Sequence, residues 1–354
     1  MLDQAKNTRA GEELNIENLK IFFKEQLPHF QGDITIKQFP SGYSNLTYLL
    51  QIGEQELVLR RPPFGAKVKA GHDMAREFNI LKTIFSAYPK VPKPIIYSND
   101  LAVLGAEFYV MQRVKGVILR NTPPKEFLLT SALIRQISEA SIDNLVQIHA
   151  IDVQKNGLET LGKAEGYVQR QVEGWIGRYE KAKTDDVLNM QKTATWLQAN
   201  MPISQAICLI HNDYKYDNLV LNPENLSEIM AVLDWEMATI GDPLMDLGTT
   251  LAYWADADDL PALRHFSLTS FEGNLNRQEI AELYAQKSGR NLSEIVFYYA
   301  FGCYKIAVIV QQIYFRFVQG FTQDQRFANL IHMVYAFAEN AVLAIEKGKI
   351  SNFR

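Results

Sequence analysis

The hydrophobic and polar positions of the chain change their period near residue 113. Before that point, short apolar or alternating segments are separated by turns, which is typical of β-strands. The segments with this pattern are 34–39, 46–52, 57–61, 95–97 and 107–114. A stretch with helical spacing, 72–85, lies among them, and a weaker one precedes them within the first 30 residues.

From residue 123 the spacing of apolar residues becomes mainly helical. It predicts helices over 128–151, 166–175, 187–197, 243–254, 277–288, 293–319 and 324–347. Short apolar runs interrupt them and predict strands at 206–210, 219–221 and 229–233. This change of pattern predicts two domains, residues 1–113 with most of the strands and residues 114–354 with most of the helices.

The composition is that of an ordinary globular protein. Hydrophobic residues make up 47% and charged residues 21% of the 354 residues, which is enough chain for two hydrophobic cores. The 36 basic and 40 acidic residues give a net charge of −4, which disfavours a nucleic-acid partner. Cys208 and Cys303 lie in apolar runs without metal-binding spacing, so we expect buried, reduced thiols and a cytoplasmic protein.

Two segments bear on membranes and targeting. Residues 1–15 are polar and contain no long apolar run, so we expect no secretory signal. The segment Ile295 to Val318 is long and apolar, but Lys305 and Arg316 interrupt it. Because a charge near the centre of a bilayer costs at least about 2.5 kcal/mol, we predict a buried helix and no membrane partner.

The stretch from Leu209 to Leu247 contains the residues with the most specific chemistry. His211 and Asp213 precede Asn218 in the order H-x-D-x-x-x-x-N, and Asp234 ends an apolar run 234 − 213 = 21 residues after Asp213. Transfer of a γ-phosphoryl group needs a carboxylate that orients the attacking hydroxyl and accepts its proton, and oxygen ligands for Mg²⁺. Asp213 suits the catalytic role, and Asn218 and Asp234 suit the metal. We expect the three side chains to converge.

This stretch resembles the catalytic region of the aminoglycoside phosphotransferase-like family of small-molecule kinases, which has H-G-D-x-x-x-x-N followed by a strand ending in I-D-W/F-E. The continuation G-D-P-L-M-D-L-G, from Gly241 to Gly248, matches as well. The chain is most similar to the kinase-like domain associated with acyl-CoA dehydrogenase fusion proteins. Asn212 departs from the family's glycine, at a position that contributes main chain more than side chain.

The resemblance covers about residues 30 to 330 and implies ATP and Mg²⁺ as cofactors. It implies an α+β, bilobal, protein-kinase-like fold, with a small antiparallel β-sheet in the N-lobe and a mostly helical C-lobe. In the family, the aspartates of G-D-P-x-x-D-L, here Asp242 and Asp246, shape the catalytic loop through hydrogen bonds.

The turn between the first two predicted strands would cover the phosphates of ATP, as the same unit does in kinases. Gly42, Ser44 and Asn45 are the candidates, through main-chain N–H groups and small polar side chains. The resemblance places Arg60 where kinases usually carry a phosphate-binding lysine, and arginine keeps the charge with a different geometry. Glu77, on the helix that follows, would pair with Arg60 and hold it towards the phosphates.

Met111 to Arg113 end the last strand of the predicted N-lobe, before Lys115 and Gly116. In a kinase, such a strand end forms the hinge against which adenine stacks and hydrogen-bonds through main-chain atoms. Met111 and Arg113 are therefore further candidates for nucleotide binding.

Three features of the helical domain permit more than one interpretation. His149 has no second metal ligand at suitable spacing, so we take it as a structural histidine. The acidic segment 256–261 would suit a cationic substrate as the rim of an acceptor site, or form a solvated turn. Lys305 and Arg316, on the long apolar helix, and Arg326 beyond it would line an acceptor pocket if that face is not core.

The leading hypothesis is an ATP- and Mg²⁺-dependent phosphotransferase that acts on a hydroxyl of a small-molecule acceptor. The nearest branch implies a hydroxyacyl-CoA or related acyl metabolite, whereas the family name implies an aminoglycoside and other relatives imply choline-type acceptors. A CoA ester would need basic groups at its pocket, and an aminoglycoside would need carboxylates. An inactive nucleotide-binding regulatory module is the alternative from a different class, motivated by Arg60 and the single glycine of the phosphate loop.

Overall fold

The structure is a computed structural model that describes residues 4–30, 32–40, 45–64, 73–122, 124, 126–204, 206–264 and 267–354. The chain folds into two compact units. The first unit contains Met1–Ile118, Leu219–Asn225 and Ile229–Glu236, and the second contains Leu119–Asn218, Leu226–Glu228 and Met237–Arg354. The predicted domain boundary after residue 113 stays a prediction.

The predicted strands and helices occur, most with ends shifted by a few residues. The described strands are β1 Ile34–Gln38, β2 Leu46–Ile52, β3 Gln55–Arg61, β4 Pro94–Ser98, β5 Phe108–Gln112, β6 Cys208–Ile210, β7 Leu219–Asn222, β8 Asn225–Val232 and β9 Thr239–Gly241. The described helices are α1 Ile16–Gln26, α2 Met74–Phe85, α3 Leu101–Leu104, α4 Ser131–His149, α5 Tyr167–Ala182, α6 Leu188–Ala199, α7 Pro243–Tyr253, α8 Pro261–Arg264, α9 Arg277–Ser288, α10 Ile295–Val318 and α11 Ile331–Lys347.

The first unit contains a five-stranded antiparallel sheet with the order β1-β2-β3-β5-β4. One face of the sheet packs against α1 in a core that includes Phe23, Leu57 and Leu59. Because side chains alternate between the two faces of a strand, Val58 and Arg60 of β3 point to the opposite face. The alternation therefore places Arg60, the predicted phosphate-binding residue, away from the core.

The first unit also contains most of the hairpin of β7 and β8, in which Leu219 pairs with Val232. Val117 pairs with Leu221 of this hairpin through hydrogen bonds of 2.9 and 2.8 Å. Gly116 permits this approach, since a Cβ atom there would collide with the Leu221 carbonyl oxygen. Asp234 follows the hairpin directly, so the hairpin determines where this carboxylate lies within the first unit.

The second unit is built around α10, which packs against α5, α6, α7 and α11. By length and composition, α10 and the segment Gln325–Lys347 could each cross a membrane. In α10, 78% of the apolar window is buried inside the protein, against 44% in the other segment. The prediction that Ile295–Val318 is a buried helix is confirmed, and Cys208 and Cys303 are buried free thiols, as predicted.

A buried arginine, Arg277 at the start of α9, holds the C-terminal residues against the second unit. Its guanidinium pairs with Asp259 and, at 3.2 Å, with Asp256. It also donates to the main-chain oxygens of Trp254 at 3.1 Å and Ile350 at 2.5 Å. Both carboxylates are buried, and among the residues that the structure describes Arg277 is the cation paired with them.

Replacing Arg277 by methionine should lower the free energy of unfolding by about 3–5 kcal/mol, because Asp256 and Asp259 would stay buried without their cation. Arg326→Met is the matched control, since Arg326 and its partner Asp324 lie on the surface, where ion pairs contribute little. Urea unfolding followed by circular dichroism measures both variants. Equal losses of stability in the two variants would contradict the role assigned to Arg277.

Candidate active site

The loop of residues 211–218 follows β6 and begins with an unusual main-chain conformation. Asn212 has a φ of 67°, in the left-handed region that asparagine tolerates better than most residues other than glycine. Its Nδ2 donates to Tyr167 Oη at 3.0 Å and to the Met237 carbonyl oxygen at 3.1 Å. The expectation of a mainly main-chain role was therefore incomplete, because the side chain also ties the 211–218 loop to its surroundings.

Asp246, in α7, fixes the start of the 211–218 loop. Its carboxylate accepts hydrogen bonds from the main-chain N–H groups of His211 and Asn212, both at 2.7 Å. It also lies 3.1 Å from His149 Nε2, and His149 Nδ1 lies 2.7 Å from Tyr284 Oη. Burial alone would raise the pKa of Asp246, but these hydrogen bonds and the two histidines hold it below its usual range. His149 thus has the structural position predicted for it.

Asp213 lies in the 211–218 loop with its carboxylate surrounded by donors. Lys215 Nζ lies 2.9 Å from Oδ1 and 2.8 Å from Oδ2, and Asn218 Nδ2 donates to Oδ2 at 2.9 Å. The Tyr253 hydroxyl donates as well, and Lys215 Nζ lies 4.5 Å from the centre of its ring. Burial alone would raise the pKa of Asp213, but Lys215 outweighs it and holds the pKa below its usual range. The carboxylate is therefore ionised at neutral pH, as a general base must be.

Asn218 offers an oxygen of the kind that Mg²⁺ prefers. Its Nδ2 also donates to the Asp213 main-chain oxygen at 2.8 Å, which orients the amide and leaves Oδ1 at its other end. Mg²⁺ is usually held by one or two side chains together with substrate phosphates rather than by an all-protein cage. Among the described residues, no group of three or more His, Cys, Asp or Glu side chains could hold a metal ion. Asn218 and the Asp234 carboxylate therefore fit Mg²⁺ in their donor atoms.

In the first unit, Arg60 faces three carboxylates. Its guanidinium lies 3.5 Å from Glu77, 3.4 Å from Asp234 and 3.5 Å from Glu236. Burial raises the pKa of Glu77, and the charge of Arg60 only partly offsets this. The predicted pairing of Arg60 with Glu77 is present, and Asp234 and Glu236 add negative charge beside it. A second cation, Arg76, donates to the Glu236 main-chain oxygen beside this cluster.

The predicted phosphate loop is described only in part. Asn45 is buried and donates through Nδ2 to Glu77 Oε1 at 2.8 Å, while Tyr109 Oη donates to Glu77 Oε2 at 3.0 Å. Gly42 and Ser44, the other two candidates, lie outside the described residues. Asn45 is therefore connected to Arg60 through a shared carboxylate.

Arg113, predicted for the adenine hinge, lies at a cavity of the first unit. The cavity has a volume of about 410 Å³ and is also lined by Lys37, Leu49 and Glu56. This volume is within the usual range of sites for small ligands. Arg113 pairs with Glu56 at 2.5 Å, and its main-chain N–H donates to the Glu56 carbonyl oxygen at 3.3 Å. Met111, the other hinge candidate, is buried in β5.

The predicted site residues fall into two groups. Asp213 and Asn218 are in contact in the second unit, and Arg60, Glu77 and Asp234 are in contact in the first. The convergence of Asp234 with Asp213 and Asn218 stays a prediction.

Lys215 and Tyr253, which both reach Asp213, were not predicted from the sequence. A lysine two residues after the predicted base was a signal for Lys215. The contact of Tyr253 arises because α7 ends beside the 211–218 loop, which no local pattern indicates.

Two expectations about an acceptor pocket are wrong. Asp256 and Asp259 of the segment 256–261 are buried against Arg277, so these two carboxylates do not form a rim for a cationic substrate. Lys305 is 2% exposed and donates to Asn212 in the 211–218 loop, so it does not line a pocket. The residues named for the pocket were chosen by charge; the charges of Asp256, Asp259 and Lys305 are used inside the second unit, whereas Arg316 is exposed.

Comparison with known proteins places the chain among phosphotransferases. A family model described as "Phosphotransferase enzyme family" matches residues 35–283. Acyl-CoA dehydrogenase family member 11 of Homo sapiens is 35% identical over 326 residues, which are 89% of this chain and 41% of that protein. The chain therefore spans less than half the length of this relative.

Solved structures give the same picture. A putative aminoglycoside phosphotransferase from Ralstonia eutropha JMP134 has a TM-score of 0.80 and 27% identity, covering 95% of this chain and 99% of that one. A thermostable mutant of the aminoglycoside phosphotransferase APH(4)-Ia, in a ternary complex with ADP and hygromycin B, has a TM-score of 0.57 and 14% identity. That match covers 90% of this chain and 97% of that one, and at this identity it shows the fold alone.

Proposed function

Because the chain belongs to the phosphotransferase enzyme family, we propose that it is an ATP- and Mg²⁺-dependent kinase of small molecules that carry a hydroxyl group. The predicted family resemblance and the predicted α+β, protein-kinase-like fold are confirmed. The observation that carries the proposal is the environment of Asp213, a partly buried carboxylate held ionised by Lys215 and oriented by Asn218.

In the proposed reaction, Asp213 orients the acceptor hydroxyl and takes its proton. The acceptor oxygen forms a bond to the γ-phosphorus while the bond from that phosphorus to the bridging oxygen of ADP breaks. Lys215 lies on both carboxylate oxygens of Asp213 and adds positive charge where the phosphoryl group brings negative charge. This mechanism requires positioned charges and no covalent enzyme intermediate.

Asn218, through Oδ1, and the Asp234 carboxylate would hold Mg²⁺. When bound, the ion neutralises part of the negative charge on the phosphates of ATP. Arg60 would contact the phosphates directly, as the cation held by Glu77, Asp234 and Glu236. Its planar, permanently charged guanidinium suits phosphate oxygens.

For the acceptor, we propose a hydroxyacyl-CoA or a related acyl metabolite. The relative that shares 35% identity carries acyl-CoA dehydrogenase in its name, and this proposal extends that chemistry to the present chain. An aminoglycoside acceptor lacks support from the acidic segment, because Asp256 and Asp259 are neutralised by Arg277. The choice rests on these two points.

The test is a screen of hydroxylated metabolites for an ATP-dependent mass gain of one phosphate. Hydroxyacyl-CoAs that differ in the position of the hydroxyl come first, followed by the free hydroxy acids, choline and aminoglycosides. Each compound is also incubated with the Asp213→Asn variant, so that only phosphorylation by this site is counted.

We expect phosphorylation of a hydroxyacyl-CoA that depends on Mg²⁺ and on Asp213. Phosphorylation of aminoglycosides instead would overturn the acceptor proposal and leave the kinase proposal standing. Nucleotide binding without transfer to any compound of the panel would favour the nucleotide-binding regulatory module.

A further inference from the structure

The buried lysine of α10 makes an unusual set of contacts. Lys305 Nζ donates to the Asn212 carbonyl oxygen at 2.8 Å and lies 3.3 Å from Asn212 Oδ1 and 3.5 Å from Thr249 Oγ1. The Trp175 ring centre lies 5.9 Å away. In the part of the chain that the structure describes, no carboxylate lies within ion-pair distance of Lys305.

Burial of an ammonium group without a carboxylate partner is costly, and such groups are rare unless their hydrogen bonds have a use. The donors of Lys305 are directed mainly at one residue, Asn212. That residue directly precedes Asp213 and has a positive φ. The lysine therefore acts at the point where the main chain turns towards the predicted base.

The peptide group between Asn212 and Asp213 is held at both of its polar atoms. Its oxygen accepts from Lys305, and its N–H, that of Asp213, donates to His211 Nδ1 at 3.2 Å. Because a peptide group is planar, contacts at the oxygen and the N–H fix the orientation of the whole plane. The plane in turn sets the direction in which the Asp213 side chain leaves the main chain.

We propose that Lys305 is a positioning residue, which holds the Asn212–Asp213 peptide group and thereby aims the carboxylate of Asp213. The expected effect of Lys305 on turnover rests on the proposed function. Its expected effect on the main chain of the 211–218 loop does not. Asn212 contributes the second half of the contact through Oδ1, which a glycine at this position would lack.

The charges around Lys305 make its contact sensitive to pH. The charged groups that act on it are Asp246 on α7, Asp213 and Lys215 in the 211–218 loop, and Arg178 on α5. Burial lowers the pKa of Lys305 to about 8, although Asp246 and Asp213 partly offset this. As the pH rises through about 8, the ammonium becomes a neutral amine, which donates a weaker hydrogen bond.

The experiment compares Lys305→Met with Gln311→Met in the full chain. Gln311 is the matched control, because it is also buried in α10 and donates to a main-chain oxygen, that of Ala182, at 2.9 Å. Three quantities are measured: the turnover number with the acceptor found in the screen, the KM for ATP, and hydrogen–deuterium exchange of peptides that cover the 211–218 loop. Turnover is followed from pH 7 to pH 9.

For Lys305→Met we expect turnover at pH 7 to fall by about tenfold to 10²-fold, the effect of misplacing a reacting group. The KM for ATP should stay unchanged, and exchange of the 211–218 loop should rise. The ratio of wild-type to variant turnover should shrink as the pH passes about 8, because the wild type then loses the same charge. Gln311→Met should change none of these quantities, even where it lowers stability.

Equal exchange of the 211–218 loop in both variants, or a turnover ratio that does not change with pH, would overturn the proposal. If Lys305→Met does not fold, the pH dependence of hydrogen–deuterium exchange in the wild type tests the proposal instead. After correction for the intrinsic chemical rate, protection of the 211–218 loop must decrease above about pH 8 while the segment around Gln311 stays protected. If the wild type phosphorylates no acceptor, the proposed function fails, whereas the exchange measurements still support or reject the positioning by Lys305.

Discussion

Replacing Asp213 by asparagine is expected to lower the turnover number by about 10²–10⁴-fold, the usual contribution of a positioned general base. Asparagine has nearly the same shape but cannot take the proton of the acceptor hydroxyl. Binding of ATP should be nearly unchanged, because the proposed contacts of the phosphates come from Arg60 and the metal. Steady-state kinetics with the phosphorylated acceptor measures the first effect, and calorimetry with ATP and Mg²⁺ measures the second.

Asp217→Asn is the matched control for this prediction. Asp217 lies in the same loop, and Lys215 acts on its charge as well, so the substitution removes one negative charge from the same surroundings. We expect only a small part of the effect seen at Asp213. A similar loss in both variants would mean that the charge of the 211–218 loop matters and that Asp213 has no special role as a base.

The fold was most predictable where the signals are local. Helix α9 begins and ends at the predicted residues, because Asn276 and Glu279 form a capping box and Gly289 takes the left-handed conformation that ends a helix. The predicted helix 324–347 instead begins at Ile331, since Asp324 caps a short 3-10 turn, Gln325–Phe327, before it. Strand β9 was missed, because its three residues pair with the distant β6 and have no periodicity of their own.

In the candidate site, too, the residues of a local motif were predicted, whereas contacts between distant parts of the sequence were not. The motif residues Asp213 and Asn218 were found because only four residues of one loop separate them. The contacts of the Asn212 side chain with Tyr167 and Lys305 were not predicted, because those two residues lie on helices far away in the sequence. Charged residues were also assigned to a pocket by their charge alone. A sequence shows which charges exist, but the fold decides which of them neutralise each other.

Replacing Asp234 by asparagine should weaken binding of ATP in the presence of Mg²⁺ by at least about tenfold, since even residues that only support a metal ligand have effects of this size. Asparagine also tolerates the φ of 64° at this position, so the change removes charge without main-chain strain. Without Mg²⁺, the same substitution should leave the affinity for ATP unchanged or raise it. Loss of a carboxylate 3.4 Å from Arg60 frees that cation for the phosphates and relieves their repulsion.

Glu236→Gln separates the metal from the general charge effect, because Glu236 lies 3.5 Å from the same guanidinium but is not a predicted ligand. Calorimetric titration with ATP in Mg²⁺ and in EDTA gives four affinities for the two variants. If Asp234 holds the metal, only Asp234→Asn lowers the affinity measured in Mg²⁺, and neither variant lowers the affinity measured in EDTA. Equal losses in Mg²⁺ would instead make the two carboxylates equivalent partners of Arg60, and the metal would then have to be held by other groups.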